Sequence, residues 1–203
     1  MNEPYSISLA LVDFLPNIAF LVGAFFLVKI AALVKGTRCS RMVMAGAFLI
    51  ALGGILKATW KLLYAANVGD FQLMSQVQFI LVAPGFLALL VAAILLARKK
   101  ESDIKATPLL AMAAWKMPFL FVMTLCSLGA QGILTYISFK RKANQAAIGF
   151  IIAFMGLLAM GGLASAEQSV PIQWIEESIN SLGQIGFMFG SILLFKNIKS
   201  NPC

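Results

Sequence analysis

The sequence predicts an all-α, polytopic bundle of membrane helices, on three observations. Of 203 residues, 61% are hydrophobic and 12% charged, whereas soluble domains carry about a quarter charged residues. Several apolar runs reach the roughly 20 residues that a helix needs to cross a bilayer. The basic residues gather at the ends of those runs: Lys35, Arg38 and Arg41; Arg98, Lys99 and Lys100; Lys140, Arg141 and Lys142; Lys196 and Lys199. Such positions meet lipid headgroups and set topology. The net charge of +8 therefore reads as membrane anchoring, not as a nucleic-acid surface.

Six apolar segments are expected, at about 7–34, 42–66, 71–97, 108–139, 143–164 and 170–195. They form one membrane domain, 1–203, in two three-helix units, 7–98 and 106–197. The first segment carries Asp13 and Asn17 four residues apart, with Pro16 between them. Proline in a membrane helix frees backbone groups that nearby polar side chains can satisfy. Asp13 is either a headgroup-level cap or a site residue. The acidic N-terminus, MNEPYSIS, lacks the basic region of a cleaved signal, so the first helix is expected to be retained.

The second segment offers Gly46, Gly53 and Gly54 as a small face for close packing. Lys57, Trp60, Lys61 and Tyr64 follow at helical spacing on one face. They read as an interfacial anchor or as the aromatic, anion-attracting wall of a site. Asp70 is expected to cap the third segment. That segment opens with a polar stripe of Gln72, Ser75 and Gln76, and Pro84-Gly85 should kink it. The polar link RKKESDIKAT separates the halves. The fourth segment is long for one straight crossing, so a lead-in up to Lys116 and a span from Pro118 are expected. The fifth is nearly all apolar, with Gly149, Gly156, Gly161 and Gly162.

The sixth carries the most chemistry. Gln173, Glu176, Glu177, Asn180, Ser181 and Gln184 fall within roughly 140° of a helix that turns about 100° per residue. Ionised carboxylates facing hydrocarbon are costly, so Glu176 and Glu177 should face the bundle interior, a cavity or the interface. Their adjacency points them about 100° apart, a poor catalytic dyad.

The halves resemble one another weakly. Pro16 and Pro118 open segments one and four, Gly-Gly pairs sit in two and five, and Gln72 aligns with Gln173. Three spans per unit would invert the second unit, an arrangement of many secondary transporters. Six spans would split the basic clusters between the two sides. A seventh crossing between Lys105 and Phe139 would put them all on one side, with Asp13, Lys57, Lys61, Gln76, Glu176 and Glu177 together at the other end. Length argues for six, since the 35 residues there are short for two helical crossings. Either count puts the N-terminus outside.

Histidine is absent, which removes His-ligated haem, ordinary zinc sites and His general bases. The three cysteines, Cys39, Cys126 and Cys203, form no disulfide framework or CxxC motif. No phosphate loop, GxSxG, HExxH or EF-hand occurs. The reading leans away from an enzyme, and no motif points to a particular cofactor or metal. It favours a small transporter or solute-binding membrane protein. Glu176, Glu177, Asn180, Gln184, Gln72 and Gln76 would line its polar path, with Asp13, Lys61 and Trp60 as gating or binding partners. The other reading is a non-catalytic subunit or sensor module that binds a partner helix or lipid-like ligand. Expected partners are the bilayer, a small molecule or ion, and a second copy or larger membrane complex, with no nucleic acid.

Overall fold

A computed structural model describes residues 6–98, 116–163 and 169–201. Every regular element among them is helical: α1 (Ile7–Val12), α2 (Phe14–Ala65), α3 (Gln72–Ala97), α4 (Lys116–Lys140), α5 (Asn144–Leu163) and α6 (Val170–Ser200). Five helices are long and apolar enough to cross a membrane, counting α1 and α2 as one stretch, Ile7–Ala65. A multi-pass membrane protein is compatible with this. Trp115, Glu167, Cys203 and most of the RKKESDIKAT link lie outside the described residues.

Two local features shape the first stretch. Pro16 has no N–H to give the Val12 carbonyl, and the helix breaks at Asp13. The Asn17 side-chain amide donates to the Asp13 carbonyl at 2.9 Å, beside the break. Further on, Gly36 has φ +78° and ψ −169°, a conformation essentially reserved for glycine. The chain reverses at that point, so α2 is a hairpin with arms 14–35 and 37–65. A straight helix would hold Asp13 and Lys61 about 70 Å apart at 1.5 Å per residue. Their side chains instead meet at 3.1 Å.

The remaining helices follow in sequence around a ring. The second arm packs antiparallel to α3, with Gly46 against Gly85 and Gly53 against Val82 and Gln78. Lys35 Nζ donates to the Arg98 carbonyl at 2.7 Å, which puts the end of α3 beside the Gly36 turn. α6 runs parallel to the first arm: Gly23 meets Phe187, and Phe26 meets Phe195. α5 is antiparallel to α6, with Gly149 on Gly186 and Gly190, and Gly156 on Gly183. A short turn, with Lys142 at φ 57°, joins α4 to α5 at the Gly36 end.

These contacts fix a direction the sequence reading had reversed. α4 ends at the Gly36 end, as α3 does, so the two helices run the same way. The halves are therefore parallel, and the expected inversion is corrected. The end of α3 and the start of α4 therefore lie at opposite ends of the bundle. The length requirement for two helical crossings outweighs charge bias in the sequence, and the helix directions follow the charge bias instead. The described basic clusters, Lys35 to Arg41, Arg98, Lys140 to Lys142, Lys196 and Lys199, consequently share one end.

Burial is inverted relative to a water-soluble protein. Leu11, Ile18, Phe25, Phe48, Phe121, Met155 and Leu182 lie on the outside, while Asp13, Lys61, Gln173, Glu177, Ser181 and Ser191 are buried. The core between them is built on Phe20, Ile30, Val43, Leu134, Phe150, Phe187 and Leu194. Phe20 and Phe187 stack with centroids 5.6 Å apart.

Candidate functional site

Three segments distant in sequence bring charge to one buried point. The break caused by Pro16 sets Asp13 on the inner face at the start of the first arm. Lys61 lies near the end of the second arm, and Glu177 lies two turns into α6. Lys61 Nζ donates a short hydrogen bond to Glu177 Oε1 and lies 3.1 Å from Asp13 Oδ2. Lys61 is thus shared between two carboxylates. Asp13 is 3% exposed, Glu177 5% and Lys61 6%. Charges so removed from water persist only when paired. Lys57, one turn before Lys61 and half-buried, adds positive potential felt by both carboxylates.

Below this triad lies a cavity of about 50 Å³. Its floor and walls include Phe20, Leu89, Ala153 and Phe187, and its polar lining is Ser127, Gln131, Asn180 and Gln184. Phe20 and Gln184 each follow a triad residue by seven positions on the same helix, about 10 Å deeper. The triad thus lies about two helical turns above part of a small, amide-lined space, on its Asp13 side. At roughly 10–15 Å³ of probe volume per water, that space holds a few waters or a small ion. Gln131 Oε1 has no hydrogen-bond partner among the described residues.

The expected site residues divide accordingly. Asp13, Lys61 and Glu177 come together in the triad, and Asn180 and Gln184 line the cavity. Glu176, about 100° further round α6, is half-buried. Gln72 and Gln76 are exposed and do not line this space, which corrects the placement of the α3 stripe in the polar path. They sit where the chain leaves the turn before α3, and the face of α3 toward the core is apolar (Ala83, Leu89, Ala92). Trp60 has a structural role: its indole Nε1 donates to Asp70 Oδ1 at 2.9 Å, and Gln72 Nε2 donates to Oδ2 at 2.9 Å. Asp70 therefore ties down the loop instead of capping α3, whose N-cap is Phe71. The proposed alignment of Gln76 with Glu177 pairs an exposed residue with a buried one, so the two positions are not equivalent.

Two cavity residues escaped the sequence reading as site residues, Ser127 and Gln131. Their signal was available, because they lie four apart on one face of α4. Among the described residues, no group of cysteines and carboxylates could hold a metal ion.

The fold and the site define a class: a helical membrane bundle with a buried ion triad over a polar cavity. Comparison with protein-family models, curated proteins and solved structures finds no match.

Proposed function

We propose that this chain is a small membrane transporter or solute-binding membrane protein in which the Asp13–Lys61–Glu177 triad is a gate. The observation that carries the reading is the origin of the three charges. They come from both arms of the hairpin and from α6. Any motion that opens the Asp13 end must part them, and any closure must reunite them. Such an ionic lock gives a bundle two discrete states. The cavity beneath is the volume that this gate would separate from the Asp13 end.

Parallel three-helix units related by an axis along the membrane normal are an established transporter plan, which favours the reading. Lys and Arg gathered at the Gly36 end favour that end as cytoplasmic, with the N-terminus and triad outside. A sensor or accessory-subunit reading has one observation in its favour. The polar groups cluster toward one end, while the core toward the other is apolar (Leu27, Ile30, Ala31, Leu194, Ile198).

Reconstituted protein on a supported membrane tests this, with charge movement recorded as small cations, amino acids and organic acids are added. Wild-type currents that Glu177→Gln abolishes, with assembly intact, support transport. Currents unchanged by Glu177→Gln exclude the triad as a gate. Loss of a co-purifying partner in the variant, without any wild-type current, favours the subunit reading.

A further inference from the structure

The triad has two carboxylates and one fully buried lysine, a formal excess of one negative charge in a low-dielectric interior. Glu177 Oε2 finds no hydrogen-bond partner among the described residues, although Glu177 is 5% exposed. The same holds for Gln173 Oε1 one turn earlier and Ser181 Oγ one turn later. Gln173 and Ser181 are buried as well. Residues 173, 177 and 181 therefore set a row of unpartnered oxygens along one face of α6, spaced about 6 Å in rise. Below that row, Gln184 opens into the cavity.

Carboxylates and an amide carbonyl offer only acceptors. The Ser181 hydroxyl is a donor but makes no hydrogen bond to Glu177 Oε2. An excess charge at an oxygen that no donor reaches is relieved most simply by a proton. A proton on Glu177 Oε2 removes the surplus charge and turns that oxygen into a donor. Asp13 and Glu177 both contact the same Lys61 ammonium, which brings the two carboxylates together, and the Gln173 carbonyl is on the same helix face. A sodium ion would meet the Lys61 ammonium at the same carboxylate and be repelled by it. Lys57, a half-buried second cation on the same arm, acts on both carboxylates and offsets part of that excess. The proton site therefore rests on the geometry at Glu177 Oε2, a buried oxygen that no donor among the described residues reaches. Tyr64 stacks toward Trp60 with centroids 6.1 Å apart, and α1 and α5 contain no titratable side chain.

We propose that the Asp13–Glu177 pair holds one dissociable proton beside the Lys61 ammonium, and that Gln173 and Ser181 flank its route along α6 between the bundle end and the cavity. Within the proposed function, that proton is the coupled species, and its loss leaves a second full negative charge to compete for Lys61. The proton site itself does not depend on transport.

Infrared difference spectroscopy of the wild type in nanodiscs, titrated from acid to alkaline pH, reads the proton directly. The expected result is a protonated-carboxyl C=O band that shifts in heavy water, disappears at alkaline pH, and is missing from both Asp13→Asn and Glu177→Gln. Glu176→Gln should retain it. A wild type lacking this band throughout the titration overturns the proposal, whatever the variants' folding. A band that sodium chloride removes and choline chloride does not also overturns it, in favour of a metal cation. A positive band with no current in any transport assay leaves the proton site standing and removes the transporter reading.

Discussion

Gly149 and Gly186 face each other across α5 and α6 at a distance that admits no side chain. A Cβ on Gly149 would lie 2.7 Å from the Gly186 carbonyl oxygen, and one on Gly186 would lie 2.8 Å from that of Gly149. Both obstacles are backbone and cannot swing aside. This contact holds α6, and with it Glu177, against the rest of the bundle. Gly149→Ala should therefore destabilise by about 1–3 kcal/mol, the usual cost of overpacking. Gly132→Ala, which meets nothing within 4 Å inside α4, should not destabilise and should gain up to about 1 kcal/mol of helix propensity. Thermal unfolding in nanodiscs compares them, and equal melting temperatures would contradict the packing.

Removing Lys61 should harm the fold more than removing the whole triad. Lys61→Met leaves buried carboxylates uncompensated, at a cost of about 3–5 kcal/mol. The combined Asp13→Asn, Lys61→Met, Glu177→Gln chain has no buried charge at this point and should recover most of that loss. A triple variant as unstable as Lys61→Met would mean that the ion pairs themselves, and not the unpaired charge, set the stability.

The parallel halves are open to a labelling experiment. In a background without Cys39, Cys126 and Cys203, single cysteines at Thr37, Asn67 and Asn144 would be probed with a membrane-impermeant thiol reagent. Thr37 and Asn144 should react from one side and Asn67 from the other. Asn144 and Asn67 reacting from the same side would restore the inverted arrangement.

Gly36 tests the hairpin alone. No atom lies within 4 Å of where its Cβ would be, so any cost of Gly36→Ala is backbone strain. With φ at +78° that cost should be about 1–3 kcal/mol. Unaltered unfolding in the alanine variant would show that the reversal does not need this conformation.

Helix positions were legible in the sequence because apolar length leaves little choice in a bilayer. Asn144–Leu163 and the Pro171 start of α6 fall where the pattern put them. Helix direction was harder to read. The distribution of Lys and Arg favours the parallel arrangement, whereas the length available for two helical crossings favours the inverted one. Within the site, Asp13, Lys61 and Glu177 stood out because charge inside an apolar run needs a reason. That the three meet could not be read from any one segment, since each lies on a different helix. Gln72 and Gln76 were hard to place because a polar stripe looks the same whether it faces a cavity or the outside of the bundle. The bonds from Trp60 and Gln72 to Asp70 cross a turn whose geometry no helical pattern encodes.

The order of the triad along the chain also bears on how the protein is made. Synthesis delivers the hairpin first, and its two arms bring Asp13 and Lys61 as a balanced pair that can enter the bilayer together. Glu177 arrives later, with α6. A nascent chain short of α6 thus carries the hairpin's ion pair without the second buried acid. Docking of α6 and arming of the ionisable centre are one event.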